Sequence, residues 1–504
     1  MVAIAYSVAF EGIEARLVEV QCSVAAGLPG FSIVGLPDKA ISEARERVKA
    51  AFSALAIALP NRRLTVNLSP ADLPKEGAHF DLPIALAVLA ALDVVPPEEV
   101  SRCVALGELA LDGRLVAVNG ALPASVAAAE DDRALICPHS CGAEAAWVSA
   151  VPVLAARSLR EVVDHLTDRK PLARAKPGVI DHQTPPLCLS EVKGQERAKR
   201  ALEIAAAGRH HLLMVGPPGA GKSMLAARLS GLMPPLTATE ALETSMVHSL
   251  AGTLDSGGIL RHPPYCEPHH TASRPALIGG GRAANPGQIS IAHNGVLFMD
   301  EFPEFARSIL DSLRQPIETG EIVIARANAH IRYPCRFLLV AAANPCRCGY
   351  LADAARACAR APICAEDYLG KISGPLMDRF DLRLELPAVS FMDLQQPPAG
   401  ETTATIAARV AAARTRQLER FQGHPNMRVN ADASGSKLEE IAPLNAEGRA
   451  LVLKASERLG LSARGYHRIL RTARTIADLE GSENIRTHHL AEALSYRLPF
   501  AHNG

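Results

Sequence analysis

Apolar and polar positions alternate in three different ways along the chain. From 1 to about 165, short β-like runs (Leu64–Leu68, Val104–Leu106, Leu115–Val118) alternate with Ala-rich stretches such as Ser42–Ala51 that read as helices. Asp112-Gly113 stands between two alternating runs, the signature of a β-hairpin. From 187 to 392 the apolar runs are unbroken: LLMVG at 212–216, GVLFMDE at 295–301 and FLLVAAAN at 337–344, with helical stretches between them. Strands that alternate with helices predict a parallel α/β sheet. From 400 to 500 the pattern is almost strand-free and rich in Ala, Leu and Arg, which predicts a helical bundle. A linker, 166–186, joins the first two segments; its DRKPLARAKPGVIDHQTPP is rich in Pro and charge and poor in pattern. The expected fold is α/β and multidomain, without repeats of solenoid period.

A chain of 504 residues is too long for one core, in line with these divisions. Lys plus Arg and Asp plus Glu each total 53, so any nucleic-acid binding must come from local basic surfaces. One such segment is 403–428, where Arg409, Arg414, Arg416, Arg420 and Arg428 face a single Glu419, either as a solvated helix face or as a nucleic-acid contact. The apolar stretch Leu82–Leu92 contains Pro83 and is well short of the roughly 20 residues that cross a bilayer. The start, MVAIAYSVAFEG, lacks a basic n-region and carries Glu11, so no signal peptide is expected. Eleven cysteines in a leaderless chain argue against a disulfide framework, and a reducing cytoplasm without membrane contact is the expectation.

The sequence MVGPPGAGKS sets Gly216, Pro217, Pro218, Gly219, Ala220, Gly221, Lys222, Ser223 and then Met224 between an apolar strand and a helix, at the spacing GxxxxGK[ST]. Glycines there let backbone N–H groups wrap phosphates, and the helix N-terminus favours their charge. Lys222 is expected on the β- and γ-phosphates of ATP and the Ser223 hydroxyl on Mg²⁺. The strand GVLFMDE ends in Asp300, expected on the Mg²⁺ shell, and Glu301, expected to polarise the attacking water. FLLVAAAN delivers Asn344 to the same region. Arg379, between Asp378 and Asp381, reads either as a surface ion pair or as an arginine finger for a neighbouring subunit's ATP. Arg464, Arg468 and Arg471 share one helix face; one is expected to face the nucleotide and the others to be solvated.

GPPGAGKS, PHHTASRPALIGGG (268–281), PGQISIAHNGVLFMDEFPEF (286–305), AAANPCRCGY (341–350) and KISGPLMDRFDL (371–382) resemble the ComM/YifB family of magnesium-chelatase-like AAA+ ATPases. The resemblance runs the full length. It implies that residues 1–165 form a Lon-protease-like α+β domain, 187–392 an AAA+ domain and 400–500 a helical lid. It further implies that Asn344 is sensor 1, Arg379 the arginine finger and Arg464 the sensor 2 arginine, in a hexameric ring of identical subunits. GEIVIARANAHIRYPCRF (320–337) looks like the pre-sensor hairpin of that clade, which in related rings grips DNA in the pore. A Lon-type peptidase needs a serine activated by a lysine. Here Ala78, His79 and Phe80 stand after PKEG, and NGALPASVAAAE (119–130) holds no lysine, so no peptidase chemistry is expected.

Cys346, Cys348, Cys358 and Cys364 fall within 19 residues and suggest a tetrahedral structural Zn²⁺. Relatives carry two C-x-C pairs, whereas Arg360 stands here in place of the last cysteine, and Cys364 is its expected substitute. Cys22, Cys103, Cys137, Cys141, Cys188, Cys266 and Cys335 read as small core hydrophobes, and His269-His270 as structural. The resemblance implies an ATP-driven translocase or helicase on branched or single-stranded DNA. The competing expectation is a chelatase-like or chaperone-like remodeller of proteins.

Overall fold

The computed structural model describes residues 2–180, 187–254, 257–281, 284–325, 330–351, 360, 362–390, 392, 395, 400–424 and 426–497. The N-terminal segment builds a seven-stranded mixed sheet from β1 (Val2–Glu11), β2 (Glu14–Ala25), β3 (Gly30–Val34), β4 (Arg63–Ser69) and β5 (Cys103–Ala105). A hairpin of β6 (Glu108–Leu109) and β7 (Leu115–Val116) follows, with the expected Asp112-Gly113 turn between its strands, before β8 (Ala134–Pro138) and β9 (Val153–Ala156) complete the sheet. The order is β3-β4-β2-β1-β5-β8-β9, antiparallel at β1–β2–β4 and parallel from β1 through β9. The apolar run at 82–92 is the helix Asp81–Ala91, buried from Asp81 to Ala90. Its one charge, Asp81, is neutralised by Arg47 at 2.6 Å and accepts the Leu109 N–H at 3.1 Å. Among the described residues no helix is long and apolar enough to cross a membrane.

The central segment forms a five-stranded parallel sheet of β10 (Leu212–Val215), β11 (Tyr265–Cys266), β14 (Val296–Met299), β17 (Leu338–Ala343) and β18 (Leu382–Glu385), ordered β11-β14-β17-β10-β18. Short pairs β12 (Gly279–Gly280) with β13 (Asn285–Pro286), and β15 (Glu321–Ala325) with β16 (His330–Pro334), stand beside it. The unbroken apolar runs are explained by burial on both faces. Leu212, Met214, Phe298 and Val340 enter one core with the C-terminal helices, while Leu213, Val215, Met299 and Ala341 enter the other with Phe302 and Phe380. Period-two alternation thus divides each strand between two cores.

Residues 403–495 are helical throughout their regular elements, as expected, with long helices at Thr403–Arg420, Ala446–Leu459 and Ala463–Glu480. Six of the seven cysteines read as core hydrophobes are buried; Cys188 is half-buried, with its Sγ 3.0 Å from Ser190 Oγ.

Part of the expected linker is bound. Ala175 N–H donates to Val153 O at 2.8 Å along the β9 edge, and Gly178 N–H to Ala143 O at 3.0 Å on the helix His139–Ala145. The first domain also rests on the second. Gly120 N–H donates to Ser249 O at 3.2 Å, Trp147 Nε1 to Gly257 O at 3.0 Å, and Ser249 Oγ to Glu144. The β1–β2 turn presses on β16 so closely that a Cβ on Gly12 would lie 1.9 Å from Arg332 O, and this contact requires glycine. The hairpin tip, including Arg326, Ala327 and Asn328, lies outside the described residues.

Candidate active site

The phosphate loop, Asp300, Glu301 and Asn344 lie at the C-terminal ends of parallel strands, where open α/β sheets bind ligands. β10 runs into Gly216–Ser223, β14 into Asp300 and Glu301, and β17 into Asn344. The loop Gly216–Gly221 and the helix Lys222–Ala227 follow β10 directly. Gly219 and Gly221 have φ of +78° and +84°, and a Cβ on either would meet nothing within 4 Å, which leaves the concave side of the loop open. The N–H groups of Gly219, Gly221, Lys222 and Ser223 donate to no acceptor among the described residues. Unpaired donors at a helix N-terminus form an anion site. Pro218, Gly219, Ser223 and Met224 are exposed, while Gly216, Ala220 and Lys222 are buried.

Lys222 Nζ lies 3.0 Å from Asn344 Oδ1, 2.7 Å from Gly216 O and 3.0 Å from Pro217 O. Burial pushes its ammonium below the usual lysine range, and the nearby Asp300 and Glu301 partly restore it. Ser223 Oγ donates to Asp300 Oδ2 at 2.8 Å, so the two expected Mg²⁺ ligands converge. Asp300 Oδ1 accepts the Glu301 N–H at 2.8 Å. Glu301 occupies the left-handed region at φ +49°, a conformation that costs a side-chain-bearing residue about 1–2 kcal/mol. Loop amides, an ammonium and an oxygen pair together match the donor set that a magnesium–triphosphate requires.

His270 belongs to this site, which corrects its structural reading: its Nδ1 lies 3.3 Å from Glu301 Oε2. β11 is the strand beside β14, and His270 follows it by four residues. The signal was available in PHHTAS, but only the strand order shows which carboxylate it meets. His269 instead contacts Thr271 Oγ1 at 2.8 Å.

Arg379 and Arg464 lie elsewhere. Leu382 is in register with Leu212, the first residue of β10, so Arg379 sits at the N-terminal edge of the sheet. The phosphate loop is at the other end of that four-residue strand, about 13 Å away along the strand. Arg379 Nη2 pairs with Glu318 Oε1 at 2.5 Å, and Arg464 Nη1 lies 3.9 Å from the same oxygen. Burial lowers the Arg379 pKa, and Glu318 opposes that shift. Arg464, with Arg209, Glu318, Arg336 and Arg468, lines a cavity of about 620 Å³. Arg464 therefore does not face its own chain's phosphate loop. The expectation of solvation fails for the other two: Arg468 pairs with buried Asp381 at 2.7 Å, and Arg471 Nε donates to Ala433 O at 2.6 Å. Burial would raise the Asp381 carboxyl, but Arg468 and His210 hold it well below the usual carboxylate range.

The basic segment 403–428 is also spoken for. Arg409 pairs with Glu203 at 2.7 Å and Arg428 with Glu240 at 3.1 Å, Arg414 and Arg416 donate to backbone carbonyls, and Arg420 pairs with Asp478 at 2.6 Å. Arg409, Arg414, Arg420 and Arg428 are half-buried fasteners, and Arg416, though exposed, is also held to the Asp478 backbone. Of the cysteine cluster, Cys346 Sγ and Cys348 Sγ lie 3.0 Å apart, Cys364 is half-buried on the helix Ile363–Leu369, and Cys358 lies outside the described residues. Three metal-ligating groups converge at one place among the described residues, Glu480–His488–His489, and no cysteine takes part.

The parallel sheet, its phosphate loop and the carboxylates at the end of the next strand but one define a P-loop ATPase of the AAA+ class. Residues 188–394 match the family described as magnesium chelatase, subunit ChlI; residues 18–141 match subunit ChlI of Mg-chelatase, and 400–497 its C-terminal part. The chain is 45% identical over 501 residues to competence protein ComM of Haemophilus influenzae, covering 98% of this chain and 97% of that protein. It is 42% identical over 488 residues to the uncharacterized protein YifB of Escherichia coli, covering 96% and 95%. To the magnesium-chelatase 38 kDa subunit of Rhodobacter capsulatus it is 28% identical over 372 residues, covering 65% and 92%. The chain belongs to the ComM/YifB family of magnesium-chelatase-like AAA+ ATPases.

Proposed function

We propose that the protein is a ring-forming ATPase, a hexamer, that couples ATP hydrolysis to translocation on branched or single-stranded DNA. One observation carries the reading. Gly216–Ser223, Asp300, Glu301 and Asn344 stand at one edge of the sheet, whereas Arg379 and Arg464 stand at the other. A chain so divided completes its ATPase centre only against a second copy. The residues 1–165 serve as a Lon-like scaffold and 400–500 as the lid.

In this mechanism the loop amides and Lys222 hold the triphosphate, with Ser223 and Asp300 placed to hold Mg²⁺. The cation, when bound, neutralises charge on the β- and γ-phosphoryl oxygens. Glu301 orients water and takes its proton, and Asn344 fixes the Lys222 ammonium at the γ-phosphoryl position. Arg379 of the next subunit meets the charge that builds during transfer, the Arg464 side chain assists it, and the hairpin β15–β16 carries the motion to DNA. A structural Zn²⁺ on Cys346, Cys348, Cys358 and Cys364 belongs to the same reading, supported by the convergence of the first two sulfurs. The test is the ATPase rate with and without forked or four-way DNA, with Glu301→Gln as the inactive control. Stimulation by DNA supports translocation; a rate indifferent to DNA, with no salt-sensitive binding, favours a protein remodeller.

A further inference from the structure

Six cations fall between 157 and 176 (Arg157, Arg160, Arg169, Lys170, Arg174 and Lys176) against Glu161, Asp164 and Asp168. None of the six makes an ion pair with a carboxylate among the described residues, in contrast with the arginines of 403–428. Four of them line a cleft of about 540 Å³ with His139 and Glu161: Arg157, Lys170, Arg174 and Lys176, all exposed. The carboxylate in that lining is already engaged, because Glu161 Oε2 accepts the Arg157 N–H at 2.7 Å as part of the cap of the helix Leu159–Leu166. The basic segment is held in place, with Arg174 bridged to Leu154 and Ala175 N–H bonded to Val153 O at 2.8 Å. The cleft is therefore an ordered cationic surface on a chain whose net charge is zero.

We propose that this cleft binds the sugar–phosphate backbone of DNA; the inference rests on the DNA reading above and names a site for it. Lys170, Arg174 and Lys176 span seven residues, six Cα steps and at most about 20 Å of chain. That span matches several successive phosphates, which advance about 3.4 Å per strand along the duplex axis, and exceeds what a single phosphorylated metabolite presents. The cleft also adjoins the motor. Ala143 lines it, and the next residue, Glu144, accepts from Ser249 in the helix Ala238–Ala251 of the central domain. Burial raises the Glu144 carboxyl, and the Ser249 and Leu122 donors oppose that shift, which ties the two domains at a desolvated contact.

The experiment measures binding of a fluorescent forked DNA by anisotropy between 50 and 200 mM salt. It compares the full chain with the variant Arg157→Glu/Lys170→Glu/Arg174→Glu/Lys176→Glu and with its four-glutamine counterpart. Loss of three to four phosphate contacts reduces the slope of log affinity against log salt by roughly 3 and weakens binding at least tenfold at 50 mM salt. The DNA-free ATPase rate and the Tm stay at the parent values in the glutamine variant. A parent that binds DNA, with both variants matching its affinity and slope, overturns the cleft alone. A parent with no salt-sensitive DNA binding overturns the DNA reading itself and this site with it.

Discussion

Arg379 Nη2 and Glu318 Oε1 meet at 2.5 Å at the sheet edge opposite the phosphate loop. Burial lowers the arginine's pKa and the contact offsets only part of that shift, and it aims the guanidinium away from its own nucleotide site. Arg379→Ala should lower kcat by about 10³-fold, the scale of an arginine finger. Glu301→Gln should be equally inactive alone. Mixing the two variants should restore part of the rate, because some interfaces then pair an intact Glu301 with an intact Arg379. Mixtures no more active than the sum of the two variants would place Arg379 outside the reaction.

His270 Nδ1 stands 3.3 Å from Glu301 Oε2, and in the proposed mechanism it orients the carboxylate that takes the proton from water. His270→Ala should reduce kcat about tenfold and leave nucleotide affinity unchanged, as the loss of one close polar contact to a charged group does. Equal losses in kcat and affinity would assign it to the architecture of the loop instead.

Asp478 is 1% exposed and joins Arg420 at 2.6 Å, Arg474 at 3.0 Å and Asn430 at 2.8 Å. Asp478→Ala leaves Arg474 buried without its carboxylate, which should cost about 3–5 kcal/mol by chemical denaturation. A loss under about 1 kcal/mol would show that these arginines are not fasteners.

His293 is fully buried, and its pKa is lowered by desolvation against the pull of Glu243. A lowered folded pKa means that the unfolded chain takes up the proton first as pH falls below the ordinary histidine value near 6.5. The His293 contribution to stability therefore falls on acidification, by at most about 1.4 kcal/mol per pH unit. His293→Gln should have a shallower loss of stability between pH 6.5 and 5 than the parent, measured by urea midpoints. An identical pH profile would contradict this assignment.

The elements set by contiguous residues were legible in the sequence. The phosphate loop, the strand ending in Asp300-Glu301, the Asp112-Gly113 hairpin and the helical C-terminal segment each depend on local spacing and periodicity. The edge on which Arg379 sits was not legible, because it follows from the parallel register of β18 on β10. Charge counting misread 403–428, since the partners Glu203, Glu240 and Asp478 are distant in sequence and only packing brings them in. His270 was missed because β11 has only two residues, and nothing local shows that it lies beside β14.

The central claim is that Lys222, bonded to Asn344 at 3.0 Å and seated under unpaired loop amides, grips a triphosphate. Nucleotide titration and steady-state ATP hydrolysis by the purified chain and its Lys222→Ala variant test it most directly. The account predicts nucleotide binding at least 100-fold weaker and no measurable turnover in the variant, with an unchanged Tm in the absence of nucleotide. Binding and turnover at the parent's level would contradict it.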